Sequence, residues 1–272
     1  MVEPVPASGA GESQLSSAIE YAQKLLDASI TVVAEARLES SKQGARDPRV
    51  IALSLLCRSI SNFRAAILLV QQEQPLEARA LVRLLYENLL WLGALRERGA
   101  VFVREMIGDE QHNRKALAQL TLALAVKHGR DVDGPDALQL RNIVKSLDRE
   151  PGRAKLRTAK IASEGVVEFA YIEYQRFSLD SAHCSVTALA RHLSKDPESP
   201  GRLILSVVPN ISPEAILDTV LHACSALMGA AVGANELVGY TSASSTLKVL
   251  ASEFELNGWA GPAVIQRVRT EI

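Results

Sequence analysis

The sequence predicts an all-α protein, a multi-helix up-and-down bundle, and three observations carry the prediction. Apolar residues recur at helical spacing in nearly every segment, and a single run, residues 203–208, resembles a strand. Aromatic residues are only 4% of the chain while Leu and Ala abound, a balance that favours helices over strands. Proline, glycine and aspartate punctuate the chain at short connections, which favour antiparallel neighbours.

Residues 1–11, rich in Pro, Gly and Ser, are expected to form a flexible tail, leaving 12–272 as one helical domain. A first amphipathic helix is predicted over about residues 13–41. Asp47-Pro48 then supplies a cap and a first-turn proline for a second helix, expected to run to about Glu73. Pro75 opens a third, which continues to about Arg98. Gly99 separates it from a fourth, which closes on His128-Gly129. A fifth is expected between Gly134-Pro135-Asp136 and Glu150-Pro151-Gly152. Residues 153–193 read as helix broken near Ser163-Glu164-Gly165 and near His183. Residues 203–208, cut short by Pro209, are read as extended loop for want of a partner strand. Ser212-Pro213-Glu214 caps a helix to about Val238, and a short last helix is expected over 245–256.

Hydrophobic residues make up 47% of the chain and charged residues 22%, as in a folded domain and not a disordered one. A net charge of −1 gives no global attraction to DNA or to anionic membrane. Cys57, Cys184 and Cys224 are odd in number, far apart and in no C-x-x-C pair, so each is read as a small buried hydrophobe. The N-terminus lacks the basic start and apolar stretch of a leader, and no apolar run is read as a membrane span; a cytoplasmic location is the expectation.

The third helix is unusual. Between Ala80 and Leu95 only Arg83, Glu87 and Asn88 are polar, and apolar residues cover nearly the whole circumference, as in a helix buried on every side. Arg79, Arg83 and Glu87 share one face at four-residue spacing. Buried charges need partners, so these are expected to meet groups on other helices. The densest remote supply is residues 171–185, with Tyr174, Arg176, Ser178, Asp180 and His183.

Arg83-Leu-Leu-Tyr-Glu87, followed much later by Tyr174-x-x-x-Ser178-x-x-x-x-His183, resembles a bacterial all-helical family of unknown function. That family carries an R-x-x-x-E helix and a Y-x-x-x-S-x-x-x-x-H segment. The resemblance covers roughly residues 48–193. It implies that Arg83, Glu87, Tyr174, Ser178 and His183 converge on one site. More distantly the chain is similar to HEPN domains, helical bundles whose active members are metal-independent RNA endonucleases with Arg and His four to six residues apart. Here six residues separate Arg176 from His183, and Phe177 stands where a polar residue is usual.

This resemblance implies a HEPN-like core with an added N-terminal helix and a helical extension at about 212–258. It also implies that His183 serves as general acid or base on a ribose 2′-hydroxyl while Arg176 or Arg83 holds the phosphate. Two classes of function follow. One is a metal-independent RNA endonuclease of defence or toxin type. The other is a non-catalytic helical module that binds a protein partner or small anion through the Arg/Glu/His site.

RNA is thus an expected partner, and six basic residues against two acids between Lys145 and Lys160 offer phosphates a local contact. A charge run is more often a solvated face. Gly229-Ala-Ala-Val-Gly233 allows close helix packing, internal or across a homodimer. Asp109-x-x-His112 and Asp180-x-x-His183 lack the regular Glu-x-x-His pairs of a di-metal bundle, and no phosphate loop, dinucleotide fingerprint or nucleophile elbow is present; no metal or cofactor is expected.

Overall fold

A computed structural model describes residues 9–38, 41–148, 155–182, 185–199 and 201–259, and ten α-helices hold most of them. Helix α1 runs over Gly9–Glu35. It starts inside the stretch expected to be a tail and stops short of the predicted end. Beyond it, Ser41 takes the Gln43 N–H on its hydroxyl and Gly44 turns to φ +52°, so local bonds compete with further helix. Helix α2 spans Pro48–Gln71 and begins as predicted, with the Asp47 carboxylate accepting the Arg49 N–H at 2.9 Å. A three-residue connection returns the chain into α3, Pro75–Arg98, packed antiparallel along α2.

Gly99, at φ +50°, then admits α4, Ala100–Lys127. Helix α5, Pro135–Asp148, lies against α4, and this pair touches the rest of the bundle little. Helices α6, Thr158–Ser163, and α7, Ala170–Phe177, pack on α3. A π-helical turn, Ser178–Ala182, continues α7, and α8 follows over Val186–Ala190.

The reading of residues 203–208 as unpaired is corrected here. Strand β2, Leu203–Leu205, pairs antiparallel with β1, Leu193–Lys195, with Leu205 opposite Leu193. The partner was hidden because residues 191–195 follow directly on a helix. The turn through Asp196 and Gly201, closed by the Asp196 N–H on the Arg202 carbonyl, brings the two together.

Helix α9, Pro213–Leu237, and α10, Ala243–Leu256, complete the chain described. Ser212 caps α9 by accepting the Ala215 N–H. Far from being peripheral, α9 packs on α1, α2 and α3 and supplies Val220, Ala223, Cys224, Leu227, Ala230 and Ala234 to the shared core. Its small residues let its neighbours approach closely: a Cβ on Gly229 would stand 2.9 Å from Leu89 of α3.

Two expectations about composition are revised. By length and apolarity both α2 and α9 could cross a membrane, contrary to the reading that no run suffices. In this structure they pack within the bundle, and α2 turns Ser54, Arg58, Ser61 and Arg64 outward. Cys224 is fully buried, which pushes its thiol well above the usual range, but Cys57 lies exposed on that outer face of α2. Cys184 lies outside the described residues.

Candidate functional site

The site is built on the face of α3 that carries Arg79, Arg83 and Glu87, where α7 with its π-helical turn and α9 converge. Arg79 is the sealed member, only 4% exposed. Its Nε donates to Asp180 on the π turn, and its Nη1 donates to Thr219 Oγ1 at 2.8 Å and to the Ala215 carbonyl and Asp218 at 3.2 Å, all on α9. The guanidinium lies over the Phe177 ring, 4.6 Å from its centroid. Asp180 is also held by Arg191, just beyond α8. Burial would raise the Asp180 carboxyl, but the hydrogen bond from Arg191 and the charge of Arg79 outweigh it and hold it below the usual range.

One turn further along α3, Arg83 donates from Nε to Ser178 Oγ and from Nη2 to the Tyr174 hydroxyl, both at 3.1 Å. Its Nη2 stands 3.6 Å from Glu87 on its own helix. The Arg83 and Glu87 side chains are 21% and 29% exposed, so this part of the face is half-open and not enclosed on every side. Asn88 turns inward and donates to Ser59 of α2 at 3.2 Å.

The third part of the cluster centres on α9. His222 Nε2 lies 3.3 Å from Asp218 Oδ1, one helical turn earlier, and its Nδ1 lies 2.6 Å from the Tyr86 hydroxyl and 3.7 Å from Glu173. Tyr86 is fully buried, and that burial, reinforced by the Glu173 charge, keeps its phenol protonated. The Tyr86 hydroxyl can donate to Nδ1 only when that nitrogen carries no proton, so the direction of this bond follows the tautomer of His222. Burial alone would raise the Asp218 carboxyl; the hydrogen bond and charge of His222, together with Arg176, pull it well below the usual range. Arg176, 40% exposed, donates to Glu173 at 2.7 Å and stands 3.2 Å from Asp218.

The structure thus brings Arg83, Glu87, Tyr174 and Ser178 together, with Arg176 close by on the same helix as Tyr174. His183 lies outside the described residues, so its position relative to them is not assigned. Sequence reasoning did not single out Asp218, Thr219 and His222, which sit in the helix it treated as an extension. A signal was present: Asp218 and His222 are four residues apart in a largely apolar stretch, residues 215–234, much as Arg83 and Glu87 are in α3.

Four arginines (79, 83, 176 and 191) meet four carboxylates (Glu87, Glu173, Asp180 and Asp218) within the chain, so the cluster is charge-balanced apart from His222. Among the described residues no group of three or more His, Cys, Asp or Glu is placed to hold a metal ion. Asp109, considered above beside His112, is engaged by Asn113 and by the Leu156 N–H.

A search of curated proteins and one of solved structures returned no match. A match does exist at the level of families, over residues 49–200, the stretch from the start of α2 to the hairpin that supplies Arg83, Glu87, Tyr174 and Ser178. The chain belongs to the family of unknown function DUF5677.

Proposed function

We propose that this chain is a non-catalytic helical module, in which the charged cluster fastens α7 and the π turn to α3 and α9 and presents its half-open rim to a protein partner. One observation carries the reading: every arginine of the cluster already answers to a carboxylate of the same chain. A phosphate backbone presents one sign of charge and rewards an uncompensated basic surface. This rim, formed by Arg83, Glu87, Glu173, Arg176 and His222, presents both signs, which suits the mixed surface of a protein.

The metal-independent ribonuclease of HEPN type is the second reading. It is favoured by the exposure of Arg176, which lies on the helix leading toward His183. Against it, phosphate held by Arg176 would have to displace Glu173 and Asp218, both within ion-pair distance.

Incubation of the purified protein with single-stranded RNA, without metal and beside His183→Ala and Arg176→Ala variants, separates the two. The module reading expects equal background in all three. Cleavage by the native chain that both substitutions abolish would overturn it.

A further inference from the structure

We infer that the β1–β2 hairpin is an interface through which two copies of this chain pair, β2 against β2, into a four-stranded antiparallel sheet. The hairpin stands outside the core: residues 193–195 and 201–208 are all exposed. Yet the outer run is Leu203-Ile-Leu-Ser-Val-Val208, without a charge, and Leu205 and Val207 are 79% and 96% exposed. A short two-stranded ribbon with such a surface is not self-sufficient.

The backbone sets the geometry. The Asp196 N–H donates to the Arg202 carbonyl and the Ser206 N–H to the His192 carbonyl, each at 2.9 Å. With Ser194 opposite Ile204, this register directs the groups of Arg202, Ile204 and Ser206 toward β1. In an antiparallel ladder the alternate residues point the other way, so the N–H and C=O of Leu203 and Leu205 face outward. Among the described residues nothing bonds them. Such an edge is a template for another strand, and between Leu203 and Val208, flanked by Arg202 and Pro209, it carries neither charge nor proline to discourage pairing.

A second copy fits that edge. Two β2 strands related by a two-fold axis at Ile204 set Leu203 opposite Leu205 of the second copy, so that all four outward residues exchange hydrogen bonds. Arg202 then faces Ser206 of the second copy and not another arginine, so no like charges oppose one another. The apolar residues 193, 203–205, 207 and 208 expose on the order of 600 Å² per copy, and pairing sets those of one copy beside those of the other on both faces of the sheet. An isologous contact of this kind closes at two subunits.

Sedimentation velocity of the full chain tests the pairing. The expected mass at micromolar concentration is twice 29.4 kDa. Leu205→Lys should return it to the monomer with the helical circular dichroism and melting unchanged, because Leu205 is exposed and outside the core. Register is tested by oxidation. Ile204→Cys places two sulfurs on the two-fold axis, where Cα atoms of a facing pair come within disulfide range, and should cross-link above the native background. Arg202→Cys, four residues out of register with itself, should not. A monomer throughout, equal cross-linking at 202 and 204, or a dimer that survives Leu205→Lys but is lost with Leu120→Lys on the exposed face of α4 would overturn the proposal.

Discussion

Arg79 is the residue on which the cluster turns. It is nearly sealed from water and its guanidinium reaches both the π turn and α9, so its loss takes the innermost donor from Asp180 and Asp218 and leaves them to Arg191 and Arg176. Removing one partner of a buried pair costs about 3–5 kcal/mol. Arg79→Ala should destabilise the fold by about the lower end of that range, because Arg191 and Arg176 remain, read as a lowered urea midpoint at unchanged slope. Arg83 stands on the half-open part of the same face, and Arg83→Ala should cost less, about 1–2 kcal/mol, because water can solvate Glu87.

The carboxylates give the pH dependence. Asp180 and Asp218 are held below their ordinary range in the fold, so their stabilisation is complete above the unfolded carboxylate range and is lost as pH falls through the lowered folded values. The melting temperatures of the native chain and Asp218→Asn should differ above the ordinary carboxylate range, a gap that narrows below about pH 4. A gap independent of pH down to acid unfolding would show that Asp218 acts by shape alone. From sequence, Arg79 and Arg83 were visible as charges in an apolar helix. Which of them is sealed was not, since that depends on where α9 crosses.

Among the elements, helices with explicit stops were legible: α2, α3, α4 and α9 begin within a residue or two of where caps, prolines and glycines place them. The hairpin was missed because pairing is non-local, and residues 193–195 carry no mark that distinguishes them from a fraying helix. The central role of α9 was missed for a related reason. The family motifs end before it, so nothing local tied Asp218 and His222 to the face of α3.

Small residues at the helix contacts give a prediction of their own. A Cβ on Gly93 would fall 2.7 Å from Val167 Cγ2, whereas one on Gly233 meets nothing within 4 Å. Gly93→Ala should destabilise by about 1–3 kcal/mol through overpacking, while Gly233→Ala should be neutral or stabilise by up to about 1 kcal/mol through helix propensity. Equal melting shifts for the two would refute the packing assigned to α3.

At the scale of the whole molecule, α1 and α9 close the core around the family-matched stretch, and the charged cluster joins that stretch to α9 from the side. The short helices α6 and α7 and the π turn are thereby tied to long ones by ion pairs as well as by the burial of Ile161, Ala170 and Phe177. That is the central claim, and the coupling between Arg79 and Asp180 tests it most directly. In a double-mutant cycle of Arg79→Met and Asp180→Asn followed by urea unfolding, the two substitutions should be strongly non-additive, with a coupling of about 2 kcal/mol or more. Additivity within about 0.5 kcal/mol would contradict the account, because the two side chains would then contribute independently of one another.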